Sequence, residues 1–137
     1  MSGAGNDFVV FGARIERGPR EIEAIRKLCR RGTGVGADGV LFVFAERPGD
    51  SSSRIVADYV NADGSAGRFC GNGTRCAARF AVLRGLVGPS LVVATGWGAV
   101  GATVQADGAV ALALPEPVAV GRAVPSLDAG GETLERD

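Results

Sequence analysis

The chain has 137 residues, enough for one domain with a hydrophobic core and too few for two ordinary ones. Its 15 basic and 15 acidic residues balance, so we expect no nucleic acid or membrane partner, and a small neutral or zwitterionic molecule fits better. Histidine is absent, which removes the commonest general base and the commonest metal ligand.

The first elements of the chain are a strand and a helix. Met1–Phe11 has the pattern of a glycine turn followed by a short buried strand. Pro19–Arg31 predicts a helix, because proline stands near its start, apolar residues recur at helical spacing and basic residues end it. Cys29 then falls on the apolar face of this helix, and we interpret it as a buried small hydrophobe.

The glycine-rich loop Gly32–Gly39 resembles a nucleotide-binding loop in composition but not in context. A Rossmann fingerprint follows a strand and opens a helix, whereas this loop follows a helix and leads into the strand Val40–Phe44. It also lacks the lysine and hydroxyl residue of a phosphate-binding P-loop. We interpret it as a helix-to-strand turn that could also pack against a site.

The rest of the chain predicts more strands around one apolar helix. The strands are Arg54–Val60, Leu91–Thr95 and a hairpin over Ala99–Leu114, and the helix is Thr74–Arg84. Because this helix is apolar nearly all round, it is expected to be buried. The simplest architecture is an α+β fold, with a curved, antiparallel-rich sheet rolled around a central helix. Residues 1–114 would form this domain, and residues 115–137 have the composition of a linker or tail.

The segment Asn61–Cys76 carries the most chemistry. Its turn-forming residues lead to Cys70, which is predicted to lie at the end of a strand and directly before a helix. Gly71 and Gly73 allow backbone N–H groups to come close to a ligand, and the unpaired N–H groups of a helix N-terminus bind anions. The partial positive charge there also favours a thiolate. Cys70 is therefore the candidate reactive thiol, next to a cradle for a carboxylate.

Neither a metal nor a cofactor is predicted. Cys76 lies within the predicted helix and faces the sheet, so we interpret it as a core residue. The spacing of Cys70 and Cys76 is not that of a zinc knuckle, and no histidine could complete a site. The only lysine, Lys27, stands at the charged end of the first helix, which argues against a Schiff base with pyridoxal phosphate.

The cysteines and the N-terminus predict a cytoplasmic location. Three cysteines at irregular spacing favour reduced thiols over a disulfide framework. No apolar run is long enough to span a bilayer, and the N-terminus, with Asp7 and no basic residues ahead of it, differs from a signal peptide.

Four strings, in this order and with these separations, closely resemble the N-terminal half of the diaminopimelate epimerase family. They are Gly3-Ala-Gly-Asn-Asp-Phe8, Gly34-Val-Gly-Ala-Asp-Gly39, Asn61-Ala-Asp-Gly-Ser65 and Cys70-Gly-Asn-Gly-Thr-Arg-Cys76. The resemblance implies that this chain is one of two pseudo-symmetric halves. Each half would be a sheet rolled around a helix, and the substrate would lie in the cleft between the halves. It also implies catalysis without a cofactor, in which one cysteine of each half removes or returns the α-proton.

The same resemblance implies roles for five residues. Cys70 would be one of the two acid/base thiols. Gly71 and Asn72 would present backbone N–H groups to the α-carboxylate of the substrate. Asn6 and Asn61 would hydrogen-bond its polar ends. The second cysteine, its helper residues and an arginine for the far carboxylate would lie in a second half, beyond the part that this chain resembles.

Two positions depart from the family pattern, and three functions stay open. Ser2 stands where the family usually has histidine, and Gly39 where some members have a substrate-facing glutamine. The chain could belong to an epimerase that interconverts LL- and meso-diaminopimelate, to a related cofactor-independent amino acid racemase, or to a non-catalytic half-domain that binds a carboxylate. The expected partners are an amino acid and the second half, with a homodimer that opposes two Cys70 thiols as the alternative.

Overall fold

A computed structural model of the chain describes residues 1–49, 52–67, 69–114, 124–127 and 133–136. The elements of these residues, in chain order, are β1 (Ser2–Gly3), β2 (Asn6–Phe11), α1 (Pro19–Cys29), β3 (Gly39–Ala45), β4 (Arg54–Asn61), α2 (Gly71–Leu83), β5 (Ser90–Ala94), β6 (Ala99–Val104), β7 (Val110–Ala113), β8 (Val124–Leu127) and β9 (Thr133–Arg136).

Strands β1 to β7 form one sheet, in which every strand pairs with its neighbour in the chain. The pairs are antiparallel except for β2 with β3 and β4 with β5. Each of these two parallel pairs is joined by a helix, α1 for the first and α2 for the second, because parallel strands need a long crossover connection. The prediction of an α+β fold with an antiparallel-rich sheet is confirmed.

Helix α2 is the centre of the fold and contacts all seven strands of this sheet. Small residues make up its buried surface, namely Gly73, Thr74, Cys76, Ala77, Ala78 and Ala81. Leu41, Ile55 and Val93 of the sheet pack against them in one cluster. Because small side chains let the strands approach the helix axis closely, the sheet curves around α2 as the sequence predicts, and Cys76 lies in the core.

Helix α1 covers the opposite face of the sheet. Ile25 and Cys29 of this helix pack with Val40 and Phe42 of β3 in a second cluster. Alternate residues of β3, such as Leu41, belong instead to the cluster around α2. Strand β3 is therefore buried on both faces, and Cys29 is the buried residue that its place on the helix predicts.

Two boundaries differ from the prediction. Helix α2 begins at Gly71, three residues before the predicted start, because the side chain and carbonyl of Cys70 accept hydrogen bonds from the first turn. The prediction that Cys70 ends a strand is wrong. Strand β4 ends at Asn61, where the chain enters a turn, and of the described residues between β4 and α2 only Ala66 forms a β-bridge, with Val60.

The predicted linker over residues 115–137 is described only in part. Strands β8 and β9 pair antiparallel within it, and its other residues lie outside the described ranges. The boundary at residue 114 stays a prediction. Within the described residues, no helix is long and apolar enough to cross a membrane.

We predict that Ala78→Leu lowers the free energy of unfolding by about 1–3 kcal/mol, because Ala78 is completely buried and the larger side chain would push α2 away from the sheet. The control is Leu83→Ala in the same helix, where the side chain is 71% exposed and a change within about 0.5 kcal/mol is expected. Urea unfolding measures both. Equal stability of the two variants would contradict the close packing of α2.

Candidate active site

Predicted site residues meet at one end of the sheet. Asn6 begins β2, Gly39 begins β3 and Asn61 ends β4. The strand register aligns Phe8 with Gly39 and Gly39 with Asn61. The N-terminus of α2 reaches this same end, where the Asn72 side chain donates a hydrogen bond of 2.7 Å to Oδ1 of Asn6.

Cys70 is the N-cap residue of α2. Its Sγ accepts a hydrogen bond from the backbone N–H of Gly73 at 3.4 Å. Its carbonyl oxygen accepts from both the N–H and the hydroxyl of Thr74, each at 2.8 Å. The half-buried thiol is thus held at the N-terminus of the helix.

The N–H groups of Gly71 and Asn72 lie next to this sulfur. They belong to the first turn of α2, so they have no acceptor within the helix. A Cβ atom built at Gly71 would meet only the Arg75 side chain, in ordinary van der Waals contact with Nη1 at 3.8 Å. This helix terminus can therefore receive an anionic group beside the thiol.

A hydrogen-bonded chain fixes the side chain of Asn72. Asn72 donates to Asn6, and Nδ2 of Asn6 donates to Asp38 at 3.3 Å. Asp38 also accepts from the backbone N–H of Asp7 at 2.9 Å and from Arg31 at 3.2 Å. The amide orientations of Asn6 and Asn72 are therefore set by a carboxylate that can only accept hydrogen bonds.

Sequence reasoning does not identify Asp38 as part of the site. Its place in the loop before β3, which is expected to pack against a site, is the one signal available. The backbone N–H of Asp7, then the side chains of Asn6 and Arg31, hold the pKa of Asp38 below its ordinary value of 3.8. The carboxylate form, which the chain of hydrogen bonds requires, is thereby favoured.

Asn61 lies at the same end of the sheet but outside this hydrogen-bonded chain. Its Nδ2 donates to the hydroxyl of Ser65 at 3.0 Å, within the turn that follows β4. The structure thus joins Asn6, Gly71 and Asn72 with Cys70 at the helix terminus, and it places Asn61 two strands away from Asn6.

Trp97 contacts the residue that precedes Cys70, a contact that the sequence does not predict. Its ring packs against Phe69, the residue directly before Cys70, with ring centroids 5.2 Å apart. It belongs to the turn between β5 and β6, which the hydroxyl of Thr95 stabilises by accepting from two backbone N–H groups. The residue directly before Cys70 is thus held by an aromatic contact with the β5–β6 turn.

The two other cysteines are buried and unpaired. Burial raises the pKa of Cys76, and burial together with the charge of Asp38 raises the pKa of Cys29. Among the described residues, no three side chains of histidine, cysteine or acidic type come together as metal ligands.

The chain is similar in sequence to proteins of a known family. The sequence model of the family described as diaminopimelate epimerase matches residues 1–120. The chain is 39% identical over 116 residues to diaminopimelate epimerase of Aquifex aeolicus, covering 79% of this chain and 41% of that protein. It is 40% identical over 127 residues to the chloroplastic diaminopimelate epimerase of Oryza sativa subsp. japonica, covering 90% of this chain and 35% of that protein. The chain thus spans about two fifths of the length of these relatives.

A solved structure supports the fold. The putative phenazine biosynthesis PhzC/PhzF protein of Clostridium difficile matches 72% of this chain and 33% of its own, with a TM-score of 0.51. Because only 15% of the aligned residues are identical, this likeness concerns the architecture alone.

We predict that a limiting amount of iodoacetamide modifies Cys70 first. Cys70 is half-buried at a helix N-terminus, whereas Cys29 and Cys76 are each 4% exposed. Peptide mass spectrometry across a pH series measures the three sites separately. In the control variant Cys70→Ser, labelling of the folded chain should nearly vanish, and urea should restore labelling of the other two thiols. Preferential labelling of Cys29 or Cys76 in the folded chain would contradict the prediction.

We predict that Asp38→Asn lowers stability at neutral pH and that its effect fades in acid. The folded pKa of Asp38 is depressed, so its stabilising contribution is present above its unfolded pKa and is lost as the pH falls through the folded value. Urea unfolding of both proteins between about pH 7 and about pH 3 measures this convergence. Glu16→Gln, at an exposed position, is the control. A constant difference at every pH would show that the carboxylate charge is not responsible.

Proposed function

The chain belongs to the diaminopimelate epimerase family, and on that premise we propose that it forms one half of a two-base epimerase that interconverts LL- and meso-diaminopimelate. This reaction serves lysine and peptidoglycan precursor biosynthesis, and we place the protein in the cytoplasm. One observation carries the proposal: the Cys70 sulfur and the N–H groups of Gly71 and Asn72 lie at the same helix terminus. A base and an anion site are thereby adjacent.

Cys70 acts as a thiolate that removes the α-proton, or as a thiol that returns it. The α-proton of an amino acid is weakly acidic, so its removal requires stabilisation of the negative charge that spreads onto the carboxylate. The N–H groups of Gly71 and Asn72 donate to that carboxylate. Because these backbone donors are fixed in the first turn of α2, and the Asn72 side chain is tied to Asn6, little reorganisation is needed when the charge develops.

Inversion of configuration also needs an acid on the opposite face of the α-carbon. As the thiolate of one cysteine accepts the α-proton and becomes a thiol, the thiol of the other cysteine delivers its proton to the opposite face and becomes a thiolate, so the number of protons is unchanged. We propose that a second half of the protein supplies this other thiol, and that closure of the two halves excludes water from the cleft. A homodimer that opposes two Cys70 thiols is the alternative source of the second acid.

The proposed reaction uses no cofactor. Negative charge on the substrate is stabilised by fixed N–H donors instead of an organic electron sink. Lys27, the only lysine, lies in the last turn of α1, and the site is built from β2, the loop before β3, and the N-terminus of α2. Asn61 is proposed to contact a polar end of the substrate after releasing Ser65.

The test uses the protein with both halves and follows the inversion of diaminopimelate in deuterated water by NMR. Cys70→Ala should abolish both inversion and α-deuterium incorporation. Cys70→Ser should leave a trace at most, because a hydroxyl is too weakly acidic to exchange the proton at neutral pH. Cys29→Ala, at a buried position on α1, is the control and should leave turnover unchanged.

Three results would contradict parts of the proposal. Near-normal turnover of Cys70→Ala would remove Cys70 from the mechanism. Inversion of another amino acid in place of diaminopimelate would indicate a related racemase. Binding of the substrate without α-deuterium incorporation would indicate a non-catalytic half-domain that binds carboxylates.

A further inference from the structure

Tyr59, the only tyrosine of the chain, has no role in the site described so far. It lies on β4 opposite Leu41 of β3, on the face of the sheet that packs against α2. Asn61 is two residues further along β4, so its side chain leaves the sheet on the same face. Tyr59 therefore stands behind Asn61 on the inner surface of the sheet.

The ring of Tyr59 leans along the strand toward the site. A Cβ atom at Gly39, the partner of Asn61, would lie 2.5 Å from Cε2 and 3.0 Å from Cζ of this ring. A Cβ atom at Gly67 would overlap the opposite edge of the ring. Two positions without a side chain thus make room for the ring, and the edge of Phe8 packs against it at 5.7 Å between centroids.

This placement carries the hydroxyl to the end of the sheet where the site lies. The hydroxyl is attached to Cζ, the ring atom near Gly39, and Gly39 directly follows Asp38. It makes no hydrogen bond to any described residue. No buried side-chain nitrogen or oxygen of the described residues lacks a partner, so the unbonded hydroxyl is accessible to solvent.

The phenol stays neutral there and keeps its proton for donation. Burial first, and then the nearby charges of Cys70 and Asp38, raise the pKa of Tyr59. The oxygens of Asp38 already accept from Asp7, Asn6 and Arg31, which makes this carboxylate a poor partner for the phenol. The strongest acceptor for a neutral O–H group is an anionic oxygen. In this site, such an oxygen arrives with the anion that the α2 terminus receives.

We propose that Tyr59 is a substrate-binding residue whose hydroxyl donates a hydrogen bond to the substrate carboxylate beside Cys70. This inference rests on the proposed function and adds a side-chain donor to the backbone donors of Gly71 and Asn72. It explains why Gly39 and Gly67 carry no side chain, since either Cβ atom would displace the ring that places the hydroxyl.

The first experiment uses the chain labelled with ¹³Cζ-tyrosine and ¹⁵N, which yields a single tyrosine resonance. The probes are diaminopimelate and pimelate, which has the same two carboxylates and no amino group. The Cζ resonance of Tyr59 and the amides of Gly71 and Asn72 should move with the same dependence on the concentration of either probe.

The outcomes separate this inference from the proposed function. Movement of the two amides with a fixed Tyr59 resonance would overturn the tyrosine contact and leave the anion site intact. Movement of Tyr59 with diaminopimelate alone would overturn the assignment to a carboxylate. Movement of neither group with either probe would overturn the anion site and the tyrosine contact together.

The second experiment uses Tyr59→Phe, which keeps the ring against Phe8 and removes only the hydroxyl. The initial slope of the Gly71 and Asn72 amide shifts against probe concentration is inversely proportional to the dissociation constant. We expect this slope to fall about tenfold, as for the loss of one hydrogen bond to a charged group. Thr103→Val removes an exposed hydroxyl from β6 and is the control. An unchanged slope in Tyr59→Phe would overturn the inference.

Discussion

The structure depends on the N-terminus of one buried helix. Helix α2 lies inside the sheet, and its first N–H groups cannot be satisfied within the helix. The Cys70 sulfur accepts one of them, which ties the chemistry of the thiol to the stability of the helix end. The N–H groups of Gly71 and Asn72 have no acceptor within the helix. A single structural requirement, the capping of a buried helix, thus places a thiol next to unpaired backbone donors.

The chain of hydrogen bonds from Asp38 extends this order to the sheet. Asn6 and Asn72 belong to different elements, and their contact fixes the helix terminus against the start of β2. Asp38 determines the orientation of both amides. A carboxylate accepts but does not donate, so Asn6 turns its NH₂ group toward Asp38 and its oxygen toward Asn72. The parallel pairing of β2 and β3 brings Asp38 to this position, next to Asp7. The geometry around Cys70 therefore follows from the topology of the sheet.

The sequence predicts what depends on local patterns. Hydrophobic period and turn residues define α1 and every strand from β2 to β7, and the glycines around Cys70 indicate a helix terminus. The start of α2 is predicted three residues late. The helix propensities of the glycines are low, and they do not include the hydrogen bond by which Cys70 caps the helix. Asn6 follows from the family resemblance alone. The positions of Asp38 and Trp97 relative to the site depend on which strands and turns become neighbours in the fold. A pattern along the sequence does not contain that information.

The order of the strands has a consequence for how this fold is made. Each strand of the seven-stranded sheet pairs with the one made just before it, so during synthesis every strand emerges directly after a pairing partner. The hydrogen-bonded residues at the helix terminus all precede β5, namely Asn6, Asp38, Cys70 and Asn72, but helix α2 contacts β5, β6 and β7 as well. A nascent chain therefore contains these residues before it contains the last strands that cover α2. Until the last strands emerge, Cys70 stands on a helix that they do not yet cover, so its thiol is more accessible to oxidants than in the folded domain.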